Sequence, residues 1–134
     1  DLPLDFSVAN FLVQPSYISL ETALNFYGIL SQFPFLVTSV TTVKSKTVTN
    51  KDREFEYVHV SNNLYWGFIK VNNYLMASPE KAVIDSFYLA SKGLRSANSD
   101  EWDWTIIDKQ KLQEYAKQIR FLPFKKYFSQ NAHI

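Results

Sequence analysis

Glu80, Lys81 and Asp85 are the residues of this sequence whose types could do chemistry together. Two carboxylates beside an ammonium can hold a divalent cation and activate water for phosphodiester cleavage. Their spacing argues against that use. Glu80 and Asp85 are five apart, which on a helix sets them well around the cylinder from each other, and adjacent Glu80 and Lys81 share no face. A simpler reading makes Glu80 a first-turn partner of the helix dipole and Lys81 a solvent-facing side chain. Asp85 then caps or salt-bridges to a neighbouring element.

Other chemistry is supplied even more thinly. The histidines are His59 and His133, one in a predicted strand and one beside the C-terminus, which is a poor basis for a metal site or a triad. Gly28, Gly67 and Gly93 are too few and too scattered to build a phosphate or dinucleotide loop. No G-x-S-x-G elbow occurs. With no cysteine, disulfides and thiol chemistry are excluded. The residues imply no cofactor and no metal, and they read as a domain that works by binding rather than catalysis.

Charge is distributed unevenly around a net value of +1. Residues 1–40 carry Asp1, Asp5 and Glu21 and no Lys or Arg, whereas residues 109–126 carry Lys109, Lys111, Lys117, Arg120, Lys125 and Lys126 against Glu114 alone. The basic run is either a solvated helix face or a surface for nucleic acid or an acidic partner. Trp66, Trp102 and Trp104 read as packed rings that could also anchor an interface, with one of the closely spaced Trp102 and Trp104 exposed.

The elements that must position these residues are legible in outline. Residues 6–17 read as an irregular lead-in broken by Pro15. Ser19 is placed to cap a short helix whose Leu20, Ala23, Leu24 and Tyr27 share a face and whose stop is Gly28. The middle of the chain changes to period 2. Strands are predicted over residues 35–43, 46–50, 55–60, 64–71 and 74–76, with turns at Asn62-Asn63 and Asn72-Asn73. Ser78-Pro79-Glu80 is a strong helix start, with a capping hydroxyl, a proline where no N–H is needed and an acid in the first turn. That helix runs to about Lys92 and is apolar on more than one face. Asp108 caps the next helix, with Leu112, Tyr115, Ala116 and Ile119 on one side, and a last short helix covers residues 123–128. The pattern predicts a single α+β (mixed α/β) domain over residues 1–134, with a small, mainly antiparallel sheet of four to five strands covered by three to four helices.

The chain's 134 residues, 46% of them apolar and 16% aromatic, suffice for one substantial core and one interaction surface. The lack of cysteine, of an apolar span and of a signal-peptide pattern fits a cytoplasmic protein. The sequence opens Asp1-Leu2-Pro3 without an initiator Met, as expected of a piece of a longer protein.

Several stretches resemble one family, the AbiEi-type antitoxins and their relatives among transcriptional regulators. They are PSYISLETALNFYG at residues 15–28, TSVTT at 38–42, Phe55-Glu56-Tyr57 with His59, Tyr65-Trp66-Gly67-Phe68, and ASPEKAVID at 77–85 followed by Tyr88-Leu89. The resemblance runs from residue 15 to residue 89. It implies the C-terminal domain of a bacterial antitoxin from a two-gene abortive-infection module that counteracts a nucleotidyltransferase-like toxin. In that family an N-terminal winged helix binds operator DNA and represses the operon, and in its best-known branch the antitoxin opposes the toxin without a stable complex of the two. No winged helix fits before the first motif here, so the chain is expected to be either a C-terminal fragment, with DNA reading in a part not in this sequence, or a free-standing relative that lost DNA reading. Tyr17, Ser19, Leu20, Ala23, Leu24, Tyr27 and Gly28 fall in the family's first helix of this domain, and Ser78, Pro79, Glu80, Lys81 and Asp85 at its Pro-Glu-Lys helix start. Neither set carries a catalytic role, and both read as cap, core and salt bridge. The alternative function is a protein-interaction or dimerisation domain without nucleic-acid contact, and a small nuclease on Glu80, Lys81 and Asp85 is the third.

Overall fold

A computed structural model describes residues 2–134; Asp1, counted above with the acidic end, lies outside them. The chain forms helices α1 (Leu2–Leu12), α2 (Leu20–Phe26), α3 (Pro79–Ser91), α4 (Lys109–Lys117) and α5 (Leu122–Asn131). Its strands are β1 (Ser16–Ile18), β2 (Val37–Thr41), β3 (Lys46–Asn50), β4 (Arg53–His59), β5 (Phe68–Val71) and β6 (Tyr74–Ala77). The class is α+β as expected, but the sheet has six strands instead of four to five, and five helices cover it instead of three to four.

Sheet order is β3-β4-β2-β1-β6-β5. Three sequential pairings are antiparallel, while β2 runs parallel to β4 and β1 parallel to β6, so the sheet is mixed. After β2 the chain steps out to the edge as β3 and returns as β4 between them, in register Val37↔Phe55 to Thr41↔His59. Alternation along β4 then divides its side chains between two faces. Phe55 and Tyr57 are buried, and the Tyr57 hydroxyl donates to the Ala9 carbonyl of α1 at 2.6 Å. Glu56 points the other way, to Arg95.

The lead-in expected over residues 6–17 is instead α1 followed by β1. Phe6, Ala9 and Val13 are buried at near-helical spacing, but Leu4 and Phe11 on the outer side remain exposed and blur the apolar period. Strand β1 is three residues long and wholly buried, too short for any alternation to show. The strand expected over 64–71 is shortened to β5 because Asn62–Leu64 forms a 3₁₀ turn.

Helix α3 is the centre of the molecule. Nine of its thirteen residues are buried, with α2, α4, α5 and β6 packed around it. Its Phe87 ring lies within 6.2 Å of the rings of Trp102, Trp104, Tyr127 and Phe128. Both tryptophans are buried, contrary to the expectation that one would be exposed, because the 3₁₀ turns Ser99–Glu101, just before Trp102, and Trp104–Ile106 bring both rings back onto Phe87 of α3. No helix among the described residues is long and apolar enough to cross a membrane.

Interior tyrosines set the response to alkali. Burial pushes Tyr57 and Tyr65 up to about 12, and burial with Glu80 nearby does the same for Tyr27. Between about pH 10, where an unfolded tyrosine ionises, and these values, the unfolded chain binds fewer protons than the folded one. Stability is therefore complete below that window and falls as pH rises through it. Urea unfolding followed across this range should show the loss, with Tyr57→Phe flattening it; an undiminished midpoint would contradict the burial of these phenols.

Candidate functional site

The acid–lysine cluster is built at the start of α3. Ser78 caps the helix, its hydroxyl accepting the Lys81 N–H at 3.2 Å, and Pro79 follows at the first helical position, as the sequence predicts. Glu80 stands in the first turn and Asp85 bonds to neighbouring elements as expected, but the role expected of Lys81 is overturned. Lys81 is not in solvent but wholly buried. Its ammonium donates to Asp85 Oδ1 at 2.7 Å, the Leu64 carbonyl at 2.8 Å and the Tyr17 hydroxyl at 2.9 Å, which uses all three protons. Asp85 Oδ2 accepts from the Tyr17 hydroxyl at 2.8 Å and from Ser19 Oγ at 2.7 Å. The Trp66 ring lies 4.6 Å from the Lys81 ammonium. Burial, and then the Asp85 carboxylate, hold Tyr17 well above the usual phenol value, so it stays a donor.

Glu80 leaves this group. Its Oε2 accepts the Asp108 N–H at 3.0 Å and its Oε1 lies 3.5 Å from the Lys111 ammonium, tying α3 to α4. The three residues of the nuclease reading therefore divide. Lys81 and Asp85 meet in a closed, saturated network, and Glu80 serves a different contact. A cation or a substrate would have to break that network to enter it.

Ser19 is also reassigned. Because its hydroxyl is held by Asp85, it makes no cap to α2; Thr38 Oγ1 on β2 accepts the Thr22 N–H instead, at 3.0 Å. Leu20, Ala23 and Leu24 are buried as expected, the Tyr27 hydroxyl donates to the Ala77 carbonyl at 2.7 Å, and Gly28 follows with φ of 82°. Leu20 has φ of 62°, a left-handed conformation that costs a non-glycine residue about 1–2 kcal/mol. Gly67 has φ of 79°, and a Cβ there would stand 2.7 Å from Lys81 Cγ.

The basic run lies on α4, α5 and the turn between them. Asp108 caps α4 as predicted, its Oδ1 accepting the Lys111 N–H at 3.2 Å, and Leu112, Ala116 and Ile119 face inward. Lys109, Lys117, Arg120, Lys125 and Lys126 are exposed and take part in no ion pair among the described residues. Lys111 differs. Burial works against its charge, but Tyr115 and Glu80 outweigh it and hold its pKa above the ordinary value.

His59 is exposed at the end of β4, with Nδ1 3.1 Å from the Val43 carbonyl, and His133 stacks on Trp104 at 4.9 Å. A groove of about 540 Å³ along α1, lined among others by Asn10, Phe11, Gln14 and Asn73, carries no charged side chain. Sequence reasoning misses the Lys81–Asp85 pair, although the two residues stand at i, i+4 spacing. It also misses Arg95, which bridges Glu21 of α2 and Glu56 of β4 at 2.7 and 2.9 Å. Burial opposes the Arg95 charge, yet its hydrogen bonds to Glu56 and Glu21 prevail and raise its pKa.

No family model, no curated protein and no solved structure matches this chain.

Removing one partner of a buried ion pair leaves the other charge uncompensated, which costs about 3–5 kcal/mol. Lys81→Met should lose that much in urea unfolding, and Lys81→Met with Asp85→Leu should lose less than the sum of the single losses. Gly67→Ala should also destabilise, through both its φ and its contact with Lys81. Additive losses at Lys81 and Asp85 would show that the pair is not coupled.

Proposed function

We propose that this chain is a non-catalytic domain of an AbiEi-like antitoxin and regulator, acting through the basic surface of α4 and α5. The observation that carries this reading is the contrast between the two groups of charged residues. Lys81, Asp85 and Glu80 are consumed in buried contacts that hold the fold together, whereas five cations on α4, α5 and their turn stand exposed and join no ion pair among the described residues. Exposed cations without carboxylate partners supply sequence-independent affinity for phosphates. In a longer protein they would assist an operator-binding winged helix. Opposition to a nucleotidyltransferase-like toxin would run through the same surface, on a nucleic acid both proteins engage, without a stable complex of the two.

Support for the family reading comes from where its stretches fall. Tyr17 and Ser19, Trp66 and Gly67 of the 65–68 stretch, and the Ser78-to-Asp85 helix start all gather around Lys81, so these parts of the resemblance follow a physically connected unit.

Growth rescue tests the proposal. Co-expressed with a nucleotidyltransferase-like toxin encoded beside its gene, the chain should restore growth, and a variant with Lys117→Glu, Arg120→Glu, Lys125→Glu and Lys126→Glu should not. Lys70→Glu, an exposed change on β5, should behave like the parent. Failure of the folded parent overturns the antitoxin role of this domain, and rescue by the reversed variant overturns the role of the surface.

A specific observation favours the protein-interaction reading as second. Phe33 and Phe35 are 67% and 93% exposed on the loop after α2. That loop is pinned by Asn25 to the Leu30 and Gln32 carbonyls and by Thr22 to the Leu36 carbonyl. Rings held out on a rigid loop are suited to anchoring a protein contact. If the chain self-associates through them, Phe33→Ser with Phe35→Ser should convert the oligomer to monomer in sedimentation at unchanged stability. A monomeric parent excludes the dimerisation form of this reading.

A further inference from the structure

The α4–α5 surface carries more than charge. In the turn between the two helices Phe121 is 38% exposed, and next to it Leu122 is 74% exposed. The Phe121 ring centroid lies 5.6 Å from that of Tyr88 on α3. Across both rings reaches Lys92, just past the end of α3, its ammonium 5.3 Å from the Tyr88 ring and 6.0 Å from the Phe121 ring. Lys92 lies outside the basic run in sequence, is exposed, and joins no ion pair among the described residues. Arg120 precedes Phe121 in the chain, and Lys125 follows one helical turn on, its N–H bonded to the Phe121 carbonyl at 3.2 Å. Lys92 thus reaches a partly open ring, with Arg120 beside that ring in the chain and Lys125 one helical turn on.

Phosphate attraction alone favours a duplex, whose charge density is the higher, over a single strand. A ring acts the other way, because a duplex keeps its base faces inside its own stack, whereas an unpaired base has a free face to lay on an aromatic side chain. Every base has such a face, so the contact would be tolerant of sequence. We propose that this surface binds single-stranded nucleic acid in preference to duplex, with phosphates on Lys92, Arg120 and Lys125 and a base stacked at Phe121. The proposal rests on the reading that α4 and α5 face phosphates.

The test is fluorescence anisotropy with a labelled single strand of about 12 nucleotides and a hairpin duplex of matching length, each as DNA and as RNA. The single strands should bind at least about fivefold more tightly than the duplexes. A DNA–RNA difference would identify which single strand the surface takes. Phe121→Leu keeps the apolar volume and removes the π-face; it should abolish the preference and leave duplex affinity unchanged. Should that variant unfold, Lys92→Ala, a change at an exposed side chain, reports instead by lowering the salt slope for the single strand by about 0.7. Equal or tighter binding of duplex overturns this inference and leaves the phosphate-facing surface in place, as does a Phe121→Leu protein that retains the preference. A folded parent that binds neither probe overturns both.

Discussion

A single buried ammonium constrains this structure. Taking Lys81 out of water costs several kcal/mol unless its three protons and its charge are met by fixed partners. The partners come from distant parts of the chain: Tyr17 at the start of the sheet, the Leu64 carbonyl in the segment before β5, and Asp85 one turn along α3. Each partner brings its own requirement. Asp85, facing the ammonium with one oxygen, needs donors for the other and takes the hydroxyls of Tyr17 and Ser19. Ser19 is then lost as a helix cap, and Thr38 on β2 fills that place. The 64–67 segment must come close enough to offer a carbonyl, and only a residue without Cβ fits at Gly67, where the chain passes the Lys81 stem. Satisfying one charge thereby fixes α3 against β1, α2, β2 and the approach to β5.

A second ion-paired group holds the far end of the same helix. Arg95, four residues past α3, joins Glu21 of α2 and Glu56 of β4, and so ties the loop after α3 to both neighbours. The two anchors differ in character. Lys81 is wholly buried, where loss of a partner is severe, whereas the side chains around Arg95 are 20% to 32% exposed and their attraction is partly screened by water. With α3 fixed at both ends, its remaining surface is free to carry α4 and α5, and those helices present the exposed cations.

How much of this could be read from sequence depended on whether a signal was local. The Ser78-Pro79 start of α3, the Asp108 cap of α4 and the hairpin at Asn72-Asn73 are decided within a few residues, and they stand where the sequence places them. Helix α1 was not legible, because its outer face keeps Leu4 and Phe11 exposed and its apolar positions then fit no single period. Strand β1 was hidden by its length, and the parallel pairings of β1 with β6 and β2 with β4 depend on contacts that no local pattern encodes. At the site, the spacing of Lys81 and Asp85 was visible, but a lysine at a helix start is so often solvated that its burial could be read only once Tyr17 and Leu64 were placed beside it. The ring of Phe121 has the same history, since Tyr88 and Lys92 reach it from another helix.

The separation of the two charged regions limits what each kind of observation can support. The stretches that carry the family resemblance end at residue 89, and three of them, holding Tyr17 and Ser19, Trp66 and Gly67, and Lys81 and Asp85, meet around the Lys81 ammonium. A likeness there speaks to how the chain buries a charge, and hence to its fold. The exposed cations and the Phe121 ring lie beyond residue 89, on helices where the resemblance is loose. Nothing in the Lys81 network requires those side chains; the fold needs from α4 only its inward residues and the contacts with Glu80. Their surface is therefore free to differ between two proteins that share this core. A function assigned through the core would be an argument by fold alone, whereas one assigned through α4 and α5 has to be tested on those residues themselves, in a background where the Lys81 network is intact.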